Sequence, residues 1–281
     1  MSVDRRSFLA GSAAVAAGLL GVPSILSARA PSGKLRMAVI GCGNQGGGNP
    51  GLAAREQLVA LVDVDQKYID RALKGVAAKA KQPKVYYDYR KMFDELGKQL
   101  DAVLIATPDH HHAPAAIRAI ERGLHVFVEK PMTYCLYEAR RVTEAARKHK
   151  VATQMGNQGH SGEGYRLLCE YIWAGAIGNV TETHSLMERS FGGSGGRPPS
   201  KPVPKGLHWD EWLGPAEYRD YHDGLHTFSW RNWCDFGTGT LGDMGCHVLD
   251  GVFWALKVGA AKKYTIECVS QRGGRAPSSR C

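Results

Sequence analysis

The sequence lacks most of the patterns that mark metal-binding and nucleic-acid-binding proteins. Its seven cysteines are scattered and odd in number, and no C-x-x-C pair occurs, so a structural zinc site is not expected. No H-E-x-x-H pair is present either, and no metal ligand set is predicted. The chain carries a formal net charge of +9. Its basic residues form no block with interleaved aromatics, so nucleic-acid binding is not expected.

The first thirty residues are predicted to be a targeting signal that is not part of the fold. Residues 4–9 read D-R-R-S-F-L, a twin-arginine pattern, and residues 28–30 read A-R-A, which fits a cleavage site. Pro23 interrupts the mildly apolar run between them, so no stable membrane span is expected after cleavage. We expect export to the periplasm, or membrane tethering if the signal is uncleaved. If the chain is exported, Cys234 and Cys246 are the candidate pair for a disulfide. The other interpretation is that the cysteines are unpaired structural thiols.

The most informative motif lies between residues 35 and 63. An apolar run leads directly into residues 41–46, G-C-G-N-Q-G, and a second apolar run ends in Asp63. In a G-x-G-x-x-G motif, the glycines allow the tight turn, the approach of a pyrophosphate and close helix packing. An acid at the position of Asp63 bonds the adenosine ribose and repels a 2′-phosphate, so NAD is favoured over NADP. The predicted cofactor contacts here are Gly41, Gly43, Asn44, Gln45, Gly46 and Asp63. The competing interpretation is a glycine-rich turn in another α/β protein.

Alternating strands and helices predict a doubly wound parallel sheet over residues 31–156, a Rossmann domain. The predicted strands are 35–40, 58–63, 84–87, 102–106, 125–128 and 151–155, and the predicted helices are 66–80, 113–122 and 136–148. Proline at position 50 is tolerated only in a first turn, so the first helix is expected to start late.

Beyond residue 156 the pattern changes to an α+β domain over residues 157–281. Helices are predicted at 164–174 and 240–256, and strands at 180–187 and 264–269. Residues 191–240 are rich in Gly, Pro and Trp and lack periodicity. Two strands make an incomplete open antiparallel sheet, and a sheet that small rarely buries a sufficient core. We therefore expect a C-terminally truncated chain.

Two groups of residues are suited to proton transfer. Lys130 ends the fifth predicted strand, and ligands of open α/β sheets bind at the carboxyl ends of strands. A lysine that is partly desolvated there exchanges protons near neutral pH. Asp243 and His247 are four residues apart and share one face of a predicted helix, with Asp243 in its first turn. The alternatives are a surface lysine paired with Glu129, a helix-capping aspartate and a packed core histidine.

Further polar and aromatic segments are candidates for binding. Three consecutive histidines, residues 110–112, cannot all face one metal, so one is expected to face the crevice. Asn157, Gln158 and His160 follow the sixth strand and are suited to bonding hydroxyl groups, or they form a polar connector. The tryptophans of residues 209–233 either stack on a sugar or form an aromatic core.

Taken together and in this order, several motifs identify a resemblance. The glycine motif is followed by A-T-P at 106–108 with His112, by E-K-P at 129–131 and by G-D-M-G-C-H at 242–247. This combination resembles the glucose–fructose oxidoreductase / inositol dehydrogenase family (Gfo/Idh/MocA). The twin-arginine leader and the W-R-N-W segment at 230–233 look like its exported branch.

The resemblance implies roles for particular residues. Lys130, Asp243 and His247 would form the catalytic group, with His247 as the base. Residues implied to line the nicotinamide pocket are Thr107, Pro108, His112, Glu129 and Lys130. Substrate contacts are expected from Asn157, Gln158, His160, Trp230 and Arg231.

The function expected from these residues is NAD-dependent hydride transfer to or from a sugar, cyclitol or related polyol. A second enzyme class, in which retained NAD supports glycoside cleavage or elimination with no net redox change, stays open. So do a plain nucleotide-binding module and an inactive fragment. Since the family's open sheet often serves as an interface, a homo-oligomer is a further possibility.

Overall fold

The computed structural model describes residues 33–79, 81–189 and 198–270. The predicted leader, residues 1–30, and the last eleven residues lie outside this part, and so do residues 190–197 of the aperiodic region. From Lys34 onward the chain clusters into one compact unit. The boundary proposed after residue 156 stays a prediction. Within the described residues, no helix has both the length and the apolar character needed to cross a bilayer.

The centre of the fold is a six-stranded parallel sheet with the order β3-β2-β1-β4-β5-β6. The strands are β1 Arg36–Ile40, β2 Gln57–Val62, β3 Lys84–Tyr86, β4 Ala102–Ile105, β5 His125–Glu129 and β6 Thr153–Gly156. Each lies within two residues of its predicted bounds. The doubly wound Rossmann sheet and the α/β class are therefore confirmed.

Ten α-helices are formed in the described residues. Their bounds are α1 Asn49–Ala53, α2 Gln66–Val76, α3 Tyr89–Leu96, α4 Asp109–Glu121, α5 Leu136–His149, α6 Gln158–Ser161, α7 Glu163–Trp173, α8 Trp209–Leu213, α9 Gly239–Val248 and α10 Asp250–Ala255. Helix α1 is short and carries Pro50 in its first turn, as expected.

Alternate residues of the strands face opposite sides of the sheet, as the period of two requires. Ile40 of β1 packs in a core with Phe93 of α3 and Ile120 of α4. Its neighbour Val39 packs on the other side, with Ile69 of α2. Both faces are therefore buried under helices, which leaves the carboxyl edge of the sheet as the open place for a ligand.

A third core forms in the region without periodicity. Residues 206–237, called the cap segment here, bury Trp209, Trp212 and Phe236. The two indole rings stack with centroids 4.6 Å apart. Trp209 and Trp212 therefore belong to an aromatic core, in agreement with one of the two interpretations. The cap segment joins the carboxyl edge of β2 through the His208 N–H, which donates to the Val64 carbonyl at 2.8 Å.

Several local predictions were wrong. The segments 180–187 and 264–269 are not strands, because an alternating pattern is stabilised only by pairing and neither segment pairs with a neighbour in the described residues. The predicted helix 240–256 is two helices separated at Leu249, and Gly251 of α10 packs closely against Tyr165 and Leu168 of α7. Cys246 is a free thiol, so the proposed disulfide with Cys234 is not formed.

Candidate active site

A cavity lies at the carboxyl ends of the strands, between the sheet and the cap segment. It is continuous from the end of β3 to the end of β5. The sequence-predicted residues that line it are Gly41, Gly43, Asn44, Gln45, Asp63, Thr107, Pro108, Glu129, Lys130, Trp230 and Arg231. A single cavity thus collects both the predicted cofactor motif and the predicted catalytic lysine.

The glycine loop forms one wall and leaves no room for side chains. A Cβ on Gly41 would lie 2.4 Å from the Ala106 carbonyl oxygen, and Gly41 has φ +88°. A Cβ on Gly46 would lie 2.3 Å from the Gly41 oxygen. Gly46 is buried beneath the loop and does not line the cavity, so its part is close packing. The loop has the backbone cradle that a pyrophosphate requires.

Asp63 directly follows β2, and its carboxylate holds this loop in place. Its carboxylate accepts hydrogen bonds from the Cys42 N–H at 2.7 Å and from the Asp65 N–H at 2.9 Å. Burial raises the pKa of Asp63 to about 6, although the two N–H donors oppose that shift. Asp63 lines the cavity, where a carboxylate bonds ribose hydroxyls.

Asp243 is held between two cations. Its Oδ1 accepts hydrogen bonds from Lys130 Nζ at 2.9 Å and from Arg231 Nε at 3.2 Å. Lys130 Nζ also donates to the Asp243 backbone carbonyl at 2.8 Å. The Lys130 and Asp243 side chains are 12% and 7% exposed. Lys130 is therefore not a surface lysine paired with Glu129, which was the alternative interpretation of this residue.

His247 lies one turn after Asp243 on α9. Burial lowers its pKa, the Lys130 charge adds to this, and the Asp243 charge opposes it. A lowered pKa keeps the imidazole neutral and able to accept a proton at pH 7. Helix α9 begins at Gly239, so Asp243 lies in its second turn and the predicted first-turn placement was wrong. The His247 side chain is outside the lining of the cavity.

Three buried polar atoms of cavity-lining residues have no hydrogen-bond partner in the described residues. They are Thr107 Oγ1, Glu129 Oε2 and His226 Nδ1. Burial raises the pKa of Glu129, and a hydrogen bond with the Gln45 side chain opposes this. Buried polar groups are normally satisfied. These orphaned atoms, with the glycine cradle, fit a polar ligand such as the nicotinamide end of a dinucleotide.

The three consecutive histidines anchor the cap segment and the cavity wall. His110 Nε2 and His111 Nε2 lie 3.1 and 2.8 Å from the Trp212 carbonyl oxygen. His111 lines the cavity, as one histidine was expected to. His112 lies behind the wall, with its ring nitrogens 2.6 and 2.8 Å from the carbonyl oxygens of Pro131 and Thr107. It supports the predicted nicotinamide pocket without lining it.

The structure does not bring the predicted residues after β6 to the cavity. Asn157 is buried and its Nδ2 donates to the Cys246 carbonyl at 2.8 Å. Gln158 is exposed. His160 stacks on Trp254 and its Nδ1 lies 3.0 Å from Asp250 Oδ1. Asn157 and His160 therefore support the α9–α10 region, in agreement with the polar-connector interpretation.

Sequence reasoning missed much of the cavity. Tyr68 packs its ring over Gly43, 2.7 Å from where a Cβ would lie. Asp88 caps α3, a helix that was not predicted although an aspartate precedes the apolar spacing of Met92, Phe93 and Leu96. The cap segment adds Glu211, Trp212, Gly214, His226 and Thr227. Among the described residues, no group of three or more His, Cys, Asp or Glu side chains is arranged to hold a metal ion.

Two models of one known protein family match this chain. The model of the oxidoreductase family GFO_IDH_MocA, NAD-binding Rossmann fold, matches residues 35–157. The model of its C-terminal α/β domain matches residues 187–273. The chain therefore belongs to the Gfo/Idh/MocA oxidoreductase family, and its first domain is an NAD-binding Rossmann domain.

Individual relatives show how far the likeness extends. Alpha-N-acetylgalactosaminidase from Shewanella oneidensis is 32% identical over 207 residues, which covers 64% of this chain and 44% of that protein. An NAD binding oxidoreductase from Klebsiella pneumoniae is 25% identical with a TM-score of 0.53, covering 79% of this chain and 53% of that one. The WlbA dehydrogenase from Chromobacterium violaceum, crystallised with NADH and UDP-GlcNAcA, is 20% identical with a TM-score of 0.57, covering 83% and 58%. This chain spans less than half of the curated relative's length.

Proposed function

We propose that this protein oxidises a hydroxyl-bearing carbon of a sugar, cyclitol or related polyol with NAD. The observation that carries the proposal is the buried contact between Lys130 and Asp243, with Lys130 on the wall of the cavity that the glycine loop also lines. A proton-transfer group beside a dinucleotide cradle is the arrangement that a hydroxyl-oxidising enzyme requires.

The cofactor would be held by groups already on the cavity wall. The N–H groups of the glycine loop would bind the pyrophosphate, Asp63 would bond the adenosine ribose, and Thr107 and Glu129 would supply polar atoms for the nicotinamide end. Asp63 also disfavours the 2′-phosphate of NADP. When bound, NAD supplies the hydride acceptor.

The chain's own residues handle the proton. His247, which lies outside the cavity lining and is neutral because burial and the Lys130 charge lower its pKa, would receive the hydroxyl proton by way of Lys130. Lys130 shares that proton and is the member of the group that faces the cavity. Asp243 fixes the position of the Lys130 ammonium through two acceptors, its carboxylate and its backbone carbonyl. Loss of the hydroxyl proton and of one hydride leaves a carbonyl product.

The test is NADH formation, followed by absorbance, from a panel of sugars and cyclitols with the wild type and K130M. We expect K130M to lower turnover by about 100-fold or more, since a positioned proton-transfer group contributes 10²–10⁴-fold. Fluorescence titration with NADH and NADPH shows whether K130M still binds the cofactor and whether NADH binds more tightly. Unchanged turnover in K130M would remove Lys130 from the mechanism.

A second candidate function is glycoside cleavage with no net redox change. It is favoured by the relative named alpha-N-acetylgalactosaminidase, which is 32% identical. The same group, Lys130 with Asp243 and His247, would serve transient oxidation of the sugar. The discriminating measurement is release of p-nitrophenol from p-nitrophenyl glycosides while NADH absorbance is recorded. Release without accumulation of NADH would favour cleavage.

The twin-arginine pattern supports a proposed location. We propose that residues 1–30 direct the chain to the periplasm by the twin-arginine route. Fractionation of cells that express the chain, compared with the R5K/R6K variant, tests this proposal. Retention of the double variant in the cytoplasm is the expected result, and equal periplasmic yields would contradict it.

A further inference from the structure

Arg231 is held firmly at the cavity wall. Its guanidinium carbon lies 4.2 Å from the centroid of the Trp230 ring and 4.4 Å from that of Phe228. Its Nε donates to Asp243 Oδ1 at 3.2 Å. Its side chain is 18% exposed and lines the cavity. A guanidinium fixed by two rings and a carboxylate is preorganised, so it loses little freedom when it binds a ligand.

The Arg231 guanidinium has N–H donors that make no hydrogen bond in the described residues. An arginine has five N–H donors. One Nε–H goes to Asp243, and Nη1 makes a long 3.4 Å contact with the Phe228 carbonyl oxygen. Nη2 has no hydrogen-bond acceptor among the described residues. A planar fork with open N–H groups in a cavity matches the geometry of a carboxylate.

The charge balance around Arg231 also favours an anion. Lys130 and Arg231 share a single carboxylate, Asp243. The other titratable groups nearby are Asp109, Glu129 and His247. Burial raises the pKa of both carboxyls and lowers that of the histidine, so burial disfavours the charged form of each. Two cations therefore share the one carboxylate that both contact.

We propose that Arg231 is a specificity-determining residue that binds a carboxylate on the substrate, so that the preferred substrates are sugar acids and not neutral polyols. This rests on the proposed function, and it narrows the substrate class of the same site. Charge-assisted, bidentate hydrogen bonds to a carboxylate are among the strongest that a side chain makes.

The test compares matched pairs of probes that differ in the carboxylate alone. The pairs are D-glucuronate with D-glucose and D-galacturonate with D-galactose, each added to the NAD-loaded protein. Binding is measured by calorimetry and by the rise in melting temperature, and kcat/KM is measured by NADH formation. We expect the acid of at least one pair to be preferred by about 10- to 100-fold.

R231Q is expected to abolish the preference, and R231K to retain part of it, since a lysine keeps the charge but loses the fork. Because Arg231 also contacts Asp243, absolute rates of R231Q fall for both members of a pair, and the acid-to-neutral ratio is the readout. R141Q is the matched control. Arg141 pairs with Glu144 on the exposed surface of α5 and loses the same charge on substitution.

Each outcome separates the two proposals. Equal binding of acid and neutral members by the wild type, or an unchanged ratio in R231Q, overturns the carboxylate inference. Oxidation of neutral members alone overturns it and leaves the proposed function standing. Acid-selective binding that R231Q abolishes, with no NADH from any probe, supports the carboxylate site and counts against the proposed oxidation.

Discussion

Lys130 Nζ lies 2.9 Å from Asp243 Oδ1, although 113 residues separate the two in the chain. Lys130 follows the buried end of β5, and Asp243 lies in the second turn of α9. Because the same ammonium also bonds the Asp243 backbone carbonyl, the contact fixes the helix as well as the side chain. The C-terminal part of the chain is thereby attached to the edge of the sheet where the cofactor loop lies.

Replacing Asp243 by Asn removes the carboxylate that Lys130 and Arg231 share. Lys130 and Arg231 are 12% and 18% exposed, so we expect D243N to lower the free energy of unfolding by roughly 2–4 kcal/mol. Urea unfolding followed by circular dichroism measures the change. The double variant K130M/D243N should lose less than the sum of the single variants; strict additivity would show that the pair does not couple.

Cofactor affinity is expected to depend on the protonation of Asp63. Its pKa is raised to about 6, so it becomes protonated as the pH falls from 7.5 to 5 and then loses acceptor capacity for ribose hydroxyls. We expect the Kd for NAD, from tryptophan quenching, to rise about tenfold over that range, roughly one pKa unit of interaction energy. D63N should bind weakly at every pH. A wild-type Kd that is flat across pH 6 would contradict this role.

The first glycine of the motif is expected to be irreplaceable. In G41A the new Cβ would lie 2.4 Å from the Ala106 carbonyl oxygen, at φ +88°. We expect a loss of several kcal/mol, ~3 kcal/mol or more, and no NADH binding. G48A is the matched control, because a Cβ at Gly48 would meet nothing within 4 Å. Its melting temperature and NADH affinity should stay near wild type, and equal damage from both substitutions would refute the assignment.

The buried histidines predict acid sensitivity. Burial lowers the pKa of His111 to about 4 and that of His110 well below its usual value. A depressed folded-state pKa contributes stability that is present above about pH 6.5 and is lost as the pH falls toward 4. The raised pKa of Asp63 has the opposite effect on stability over this pH range. The contribution of His111 is therefore isolated by comparing wild type with a variant that lacks this histidine. H111Q retains a donor for the Trp212 carbonyl, and its melting temperature should fall less between pH 6.5 and 4.5 than that of wild type.

The parallel sheet and the dinucleotide loop were predictable because their signals are local. The apolar strands, the glycine spacing and Asp63 each follow from constraints within about twenty residues. The contact of Lys130 with Asp243 was predictable only through the order of motifs that marks the family. Nothing in the local sequence of either residue indicates its partner.

The cap segment could not be predicted because it has no periodicity. Its fold depends on contacts such as that of the Trp212 carbonyl with His110 and His111, about a hundred residues away. The same limit explains His160, whose polar character suggested a ligand contact while tertiary packing placed it against Trp254. The strands predicted at 180–187 and 264–269 were wrong for a related reason. A strand is stabilised by pairing with a neighbour, and the sequence of one segment does not show whether a neighbour is present.

The cap segment also bears on the order in which the protein is made. The sheet and the glycine loop are complete once residue 156 has been synthesised, but Thr227, which accepts a hydrogen bond from the Asn44 amide, comes seventy residues later. Asp243 follows later still. A nascent chain therefore forms its cofactor cradle first and lacks its charge partner for Lys130 until most of the chain has emerged.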